Sequence, residues 1–549
     1  MLLNLPPPTD PPAFVALTGA QVWTDDGRKA GLQSGQAVVI RGERIVSVGP
    51  EAPTLKAWPG ARRVALKGGV LLPGLIEGHA HVEGMGLFHL NADLLGTRSL
   101  REVQARVQEW MDRHPTGWIQ GRGWDQNLWD LKNFPSAKDL DAITGDRPAA
   151  LRRVDGHATW VNSAALSQAG INRTTPDPSG GRILRDAEGN PSGILLDAAA
   201  ALVASKIPAP TPVQRQANLK AGLLALRQLG FSGVADMGCP PESLAAYRVL
   251  AKNQELPIRV FAYLEPRPGY LERELAAPPP AHASFFQIQG TKQYLDGALG
   301  SRGARLIQPY ADEPGSRGLW VEPPAEVLKG MDATLKAGYQ PAIHVIGDAA
   351  NRALLEMVAG SKQAAKARLK VRAEHAQIVS REDARRFGQV GLVASVQPIH
   401  LADDHAWTPA RLGGERVGAA FPWRAFLEGG AALSFGSDAP VAEANPFLGM
   451  AAAESRTDSE GRPPGGFLPD QRLTRPEAIR AYTLGNARVL GFAELGSIRK
   501  GALADLLWVE VPLLDLSVED LRKVKPGRLW VNGREVPLEN RGERSRRIP

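Results

Sequence analysis

The sequence predicts an α/β fold: a (β/α)8 TIM-like barrel with an insertion after its first strand, plus a small β-sandwich domain built from both ends of the chain. Three observations carry this reading. The middle of the chain alternates short β-branched or apolar runs with helical stretches, and eight such units can be counted. Both ends are β-rich. Finally, about 150 residues separate the first run from the second, where one βα unit of a ~250-residue barrel needs roughly 30–40.

Each element follows from local chemistry. Residues 15–17, 22–24, 37–40 and 44–48 are β-branched runs separated by Gly, Asp and similar breakers. The pattern returns at 506–509 and 529–534. Segments 14–73 and 491–540 are therefore expected to share one small β-domain. The remaining 541–549 form a basic tail.

Residues 74–490 carry the barrel. Its first strand runs into His79, and strands two to eight are expected at 232–236, 258–262, 290–294, 342–346, 371–375, 392–396 and 433–437. Helices are expected at 212–229, with Thr211 as N-cap before a first-turn proline, and at 476–484. An open doubly wound sheet is the alternative, but no Gly-rich dinucleotide turn follows any strand. The inserted subdomain spans about 96–210 and holds Trp118, Trp124, Asp125, Gln126, Trp129 and His157. Placed after a strand's C-terminal end, it would sit over the active face. Its tryptophans either pack its own core or, with Asp125, Gln126 and His157, line a substrate pocket.

Bulk properties narrow the class. With 43% hydrophobic and 22% charged residues in 549, the chain reads as globular and multidomain. It lacks an apolar run of about 18 residues, so no membrane partner is expected. The proline-broken N-terminus does not read as a signal peptide. A single cysteine, Cys239, excludes an internal disulfide and Cys-rich metal sites, and fits a cytoplasmic protein. The net charge of +7 is scattered, and no nucleic-acid-binding motif is present. The expected partner is a small-molecule substrate, and a homo-oligomer is compatible with the chain.

The chemistry starts at His79-Ala80-His81. On a strand, side chains at i and i+2 point the same way, so both imidazoles leave one strand end together. Only 10 histidines occur in the chain. Lys292 falls on strand four, His344 on strand five, His375 at the end of strand six, and Asp438 just after strand eight. C-terminal strand ends of a barrel converge on one mouth, so these six groups form a candidate metal site. Imidazole and carboxylate donors suit Zn²⁺ and similar ions. Asp296 and Arg302 follow Lys292 on the same face and either bind substrate or hold their loop. Asp348 and Glu374 sit beside ligands, either orienting imidazoles or, for Glu374, forming a salt bridge behind the barrel.

Longer motifs surround these residues: Pro73-Gly74-Leu75-Ile76-Glu77-Gly78-His79-Ala80-His81, Gly123-Trp124-Asp125-Gln126, Lys292-Gln293-Tyr294-Leu295-Asp296-Gly297-Ala298-Leu299-Gly300-Ser301-Arg302, His344-Val345-Ile346-Gly347-Asp348, Glu374-His375-Ala376 and Gly436-Ser437-Asp438-Ala439-Pro440. Their order resembles the metal-dependent amidohydrolase superfamily. It is similar in particular to the branch containing N-substituted formamide deformylases, amidohydrolase family 3. The resemblance runs from about Ala16 to Val536, and Gly303 stands where the branch often has Thr.

The resemblance implies that His79, His81 and Asp438 bind one divalent ion and that His344 and His375 bind a second. Lys292 would bridge them as a carbamate; a single-ion site is left open. It further implies a hydrolase of C–N bonds other than peptide bonds, acting on an amide, N-formyl or N-acyl substrate by metal-activated hydroxide attack. Asp438 would pass the water proton to the leaving nitrogen. A deaminase or cyclic amidohydrolase on the same barrel is the alternative, and a non-catalytic scaffold a third. The deaminase pattern wants a Glu after strand five, where this chain has Asp348; the scaffold predicts lost ligands, and all six are present.

Overall fold

The computed structural model describes residues 14–538 except 131, 155, 157, 179 and 268. The N-terminal segment 1–13, the basic tail and His157 lie outside the described residues. Eight parallel strands form one sheet: Leu75–Ala80, Phe231–Cys239, Arg259–Leu264, Phe286–Tyr294, Gln340–Val345, Arg372–His375, Val393–Val396 and Leu433–Phe435. Every residue of the first, third and sixth strands is buried, as a parallel sheet covered on both faces requires. The ring is completed where the first strand meets the chain after the eighth. There Asp438 N donates to His79 O at 2.7 Å and His81 N to Ala439 O at 2.8 Å.

Two glycines permit that closure. A Cβ on Gly436 would lie 2.5 Å from His79 N, and one on Gly78 would lie 2.5 Å from Phe435 O. The expected helix 476–484 is α-helical over Arg475–Arg480 and widens to a π turn at Ala481–Gly485. The wider turn precedes Asn486, whose Nδ2 donates to Ile76 O at 2.7 Å and Phe435 O at 2.9 Å. One side chain thus braces strands one and eight.

Both ends of the chain build two further sheets. One runs Arg44–Pro50, Gln36–Arg41, Val15–Thr18, Arg62–Ala65. The other runs Arg534–Val536, Arg528–Val531, Leu506–Val509, Val70–Pro73, Gln21–Asp25, Ala30–Gln33. Val70–Pro73 pairs antiparallel with Leu506–Val509, so N- and C-terminal segments share a sheet. Leu17, Val38 and Ile40 from the first sheet pack with Val22, Leu506 and Trp530 from the second in one apolar core.

Residues Glu83–Gly222 form a separate compact unit, wider than the expected insertion of 96–210. Its sheet runs Gly181–Arg185, Pro191–Asp197, Ala158–Val161, Ala149–Arg153, Ile119–Trp124, Ala92–Asp93. Trp124, Trp129 and Trp160 pack together in its core. Thr211 and Gln214 cap the helix Pro212–Gln228 reciprocally: Thr211 N donates to Gln214 Oε1 at 2.9 Å, and Gln214 N to Thr211 Oγ1 at 3.3 Å. Among the described residues, no helix is long and apolar enough to cross a membrane.

Candidate metal centre

The period of two along the first strand aims Glu77, His79 and His81 the same way. His79 is fully buried, and its Nδ1 lies 2.6 Å from Glu374 Oε2. Its Nε2 lies 3.2 Å from Lys292 Nζ and 3.3 Å from Asp438 Oδ1. The Nδ1 of His81 donates to Met237 O at 2.8 Å, and its Nε2 lies 3.1 Å from the same Asp438 oxygen. His375 donates through Nδ1 to Gln397 Oε1 at 3.0 Å. Its ring centroid lies 5.0 Å from that of His79 and 4.5 Å from that of His344. One ligand atom each from His79, His375 and Asp438 falls within 4.8 Å of the others.

These contacts dictate what the site needs. An imidazole that donates from Nδ1 keeps a bare lone pair on Nε2 when neutral. When both imidazoles are neutral, the Nε2 atoms of His79 and His81 face Asp438 Oδ1 lone pair to lone pair, a contact that a proton or a metal ion held there makes favourable. Asp438 Oδ1 and His344 Nε2 are both buried without a hydrogen-bond partner. The donor set, its orphaned atoms and its depth fit a divalent ion.

Protonation states agree. Burial, reinforced by the Lys292 charge, pushes His344 down to about 3. Burial, then His344, holds His375 well below the usual imidazole range. Both are neutral bases at pH 7, the form that ligates metal. Burial opposes ionisation of Asp438, but His79 and then His81 keep it a carboxylate. Burial lowers the proton affinity of His81, and Asp438 overcomes this and raises it, an attraction any cation at that nitrogen would feel. Burial lowers Lys292 to about 8, against the opposing pull of Glu374 and Asp438.

Behind the ligands lies a relay that sequence reading only half anticipates. Arg372 Nε donates to Glu374 Oε1 at 2.6 Å, and its Nη2 to Gly78 O at 2.7 Å and Ser395 Oγ at 2.8 Å. Burial opposes the Glu374 charge, but Arg372 and then His79 hold this carboxyl far below its ordinary value. Glu374 thus orients His79 and pairs with an arginine at once. Glu77, unassigned by the motif reading, accepts from His79 N at 2.9 Å and Ser437 N at 2.8 Å; burial lifts it to about 8. His375 and Asp438 adopt φ of 73° and 60°, left-handed values that cost non-glycine residues about 1–3 kcal/mol and cluster at working sites.

The other sequence candidates make local contacts of their own, and Asp296 among them stays beside the cluster, its Oδ1 3.9 Å from His344 Nε2. Trp124 is wholly buried in its own unit and donates from Nε1 to Leu151 O at 2.8 Å, so it packs rather than lines a pocket. Asp125 and Gln126 accept from Arg153 at 2.6 and 2.9 Å. Asp296 accepts from Ile346 N, Gly347 N and Arg305 N at 2.8–2.9 Å, tying the loop after strand four to that after strand five. Arg302 pairs with Asp312 and Glu313 and holds the same loop. Asp348 does not orient an imidazole: its carboxylate accepts from Ile307 N at 2.9 Å at the start of a helix. Sequence reasoning also passed over Gln397 and His400. They lie just beyond strand seven, the kind of position that singled out the candidate ligands.

A profile of the amidohydrolase family matches residues 62–537. The chain belongs to the amidohydrolase family. This amidohydrolase is 34% identical over 527 residues to Protein LONG AFTER FAR-RED 3 of Arabidopsis thaliana, covering 92% of this chain and 88% of that protein. It is 26% identical over 536 residues to the N-substituted formamide deformylase of Arthrobacter pascens, covering 94% and 97%. An uncharacterized metal-dependent hydrolase from Pyrococcus horikoshii superposes with a TM-score of 0.78 at 26% identity, covering 92% of this amidohydrolase and 99% of that chain.

Proposed function

We propose that this amidohydrolase cleaves the C–N bond of small N-formyl or short N-acyl amides, using one or two zinc ions. The opposed lone pairs of His79, His81 and Asp438 carry the reading. The similarity to a protein named N-substituted formamide deformylase supports the substrate class. His79, His81 and Asp438 would hold one ion, and His344 and His375 the other. Lys292 would bridge them as a carbamate, since an amine lowered to about 8 has a ready neutral fraction to take up CO₂.

A divalent ion there supplies Lewis acidity toward a carbonyl and lowers the pKa of water to about 7. The chain's own residues do the rest. Asp438 keeps Oδ1 toward the imidazoles and turns Oδ2 toward His400, whose Nε2 is 3.9 Å away. That free oxygen takes a proton from the attacking water and returns it to the leaving nitrogen as the C–N bond breaks. Water and amide become a carboxylic acid and an amine. Glu374 and Gln397 keep two imidazoles facing inward throughout.

Elemental analysis of the purified protein, with a panel of N-formyl, N-acyl and cyclic amides, tests this. One to two equivalents of divalent ion are expected, fewer in His344→Ala, with N-formyl or N-acyl turnover. No metal under any loading condition would sink the proposal.

A further inference from the structure

A second polar layer fills the barrel beneath the candidate ligands. Gln340 opens the fifth strand and Arg372 the sixth. Two-residue alternation puts Gln340 on the face that carries His344, and Arg372 on the face that carries Glu374. Tyr263 on the third strand reaches both because Gly290 stands between it and Gln340 in register, and a Cβ there would lie 3.1 Å from Tyr263 Cδ1. All three side chains are buried. Gln340 Nε2 donates to Lys370 O at 2.8 Å and to Val489 O at 2.9 Å, so both amide hydrogens are spent and Oε1 can only accept. The Tyr263 hydroxyl supplies that hydrogen at 2.6 Å. Its lone pairs then face Arg372, whose Nη1 donates to the phenol oxygen at 3.2 Å and has no other acceptor among the described residues. Burial raises Tyr263 to about 12, so the hydroxyl keeps its hydrogen at neutral pH. Arg372 Nε in turn donates to Glu374 Oε1 at 2.6 Å, and Glu374 Oε2 lies 2.6 Å from His79 Nδ1. The order of donors and acceptors is therefore fixed from Val489 to His79.

We propose that Tyr263 is a positioning residue for the metal centre. It fixes the tilt of the Arg372 guanidinium, and through Arg372 and Glu374 the direction in which His79 aims Nε2. This rests on the metal reading of the candidate ligands and not on the substrate. The chain is anchored at the N-terminal end of the barrel, opposite the ligands. There Val489 O ends the short helix Asn486–Val489, and Ala487 and Leu490 pack with the Tyr263 ring in one apolar cluster. Losing a group that orients a ligating imidazole typically weakens metal binding about 10–100-fold. Tyr263 acts from further out, so the lower end of that range is expected.

Tyr263→Phe keeps the ring and removes only the hydroxyl, which leaves Arg372 Nη1 and Gln340 Oε1 unmet. Two readouts need no substrate. Zinc affinity is measured by competition with a chelator. The proton on His79 Nδ1, held in a 2.6 Å bond to a carboxylate, is followed by NMR of the metal-free protein as a far-downfield resonance that His79→Gln removes. Tyr263→Phe should keep its circular dichroism, bind zinc about tenfold more weakly and move that resonance upfield. Gln340→Met, the second variant should the first misfold, takes away the acceptor that aims the hydroxyl and should shift both readouts the same way. Leu490→Ala thins the same cluster without removing a hydrogen bond; it should lower Tm and leave both readouts unchanged. An unmoved resonance with unchanged zinc affinity in Tyr263→Phe and Gln340→Met overturns the proposal, as does an equal loss of zinc affinity in Leu490→Ala. Wild type that binds no zinc overturns it together with the metal reading. If wild type hydrolyses amides while both readouts stay put in the variants, positioning alone fails. If Tyr263→Phe shifts both readouts but wild type hydrolyses no amide, positioning stands and the hydrolase reading falls.

Discussion

His79 keeps its orientation because Glu374 holds it, and Glu374 keeps its charge because Arg372 does. Replacing Arg372 with Met would strand a buried carboxylate, at a cost of about 3–5 kcal/mol in a denaturant titration. Asp438→Asn should preserve the fold but abolish hydrolysis, read from turnover against circular dichroism; near-full activity would exclude Asp438 as the proton carrier. Asp404 supplies a pH effect. Burial lifts it from 3.8 to about 7, with the Gln377 amide opposing. A raised folded value means the stabilising contribution is complete below about 4 and is lost as pH climbs through about 7. Asp404→Asn should therefore gain Tm over wild type at pH 8 and not at pH 4. At this scale the six candidate ligands stood out because strand-end position and donor chemistry coincide, and His79, His375 and Asp438 among them bring ligand atoms within 4.8 Å of one another. Gln397 did not, because its role depends on which amide atom meets His375. Asp348 misled because nearness in sequence to His344 put it on a helix start instead.

The junction between the first and eighth strands governs the site at the next scale. Gly436→Ala would push a methyl to 2.5 Å from His79 N, forcing strand eight off strand one. Lower metal content together with lower Tm is expected; retention of both would show that the junction can relax. The same crowding explains why strand eight stops at Phe435 rather than at the expected 437. All eight barrel strands were readable as short runs, β-branched or apolar, alternating with helical stretches. Ala30–Gln33 and Arg62–Ala65 were not, being short, polar and only partly buried. The inserted unit outgrew its expected 96–210 because its first helix, Val82–Leu90, and much of Pro212–Gln228 group with it. Apolar periodicity does not say to which body a helix belongs.

Across the larger unit, Arg259 on the third barrel strand fastens the β-domain. Its Nε meets Asp505 Oδ2 at 2.7 Å, both groups deeply buried, and its Nη2 meets the half-buried Asn532 Oδ1 at 2.8 Å. Asp505→Ala should cost about 3–5 kcal/mol, since it leaves the guanidinium unpaired. Barrel and β-domain should still melt in a single calorimetric transition; separate transitions would show that Arg259 does not couple them. The interleaved sheet has a further consequence for biosynthesis. Val70–Pro73 waits for Leu506–Val509 as its partner, and after one glycine it continues into the strand that bears His79. A ribosome adding about 5–20 residues per second delivers that partner on the order of tens of seconds later. Until then the histidine pair hangs from an unfinished sheet edge in a ring lacking its last strand. A chain cut short before residue 433 therefore lacks both Asp438 and the strand that closes the ring.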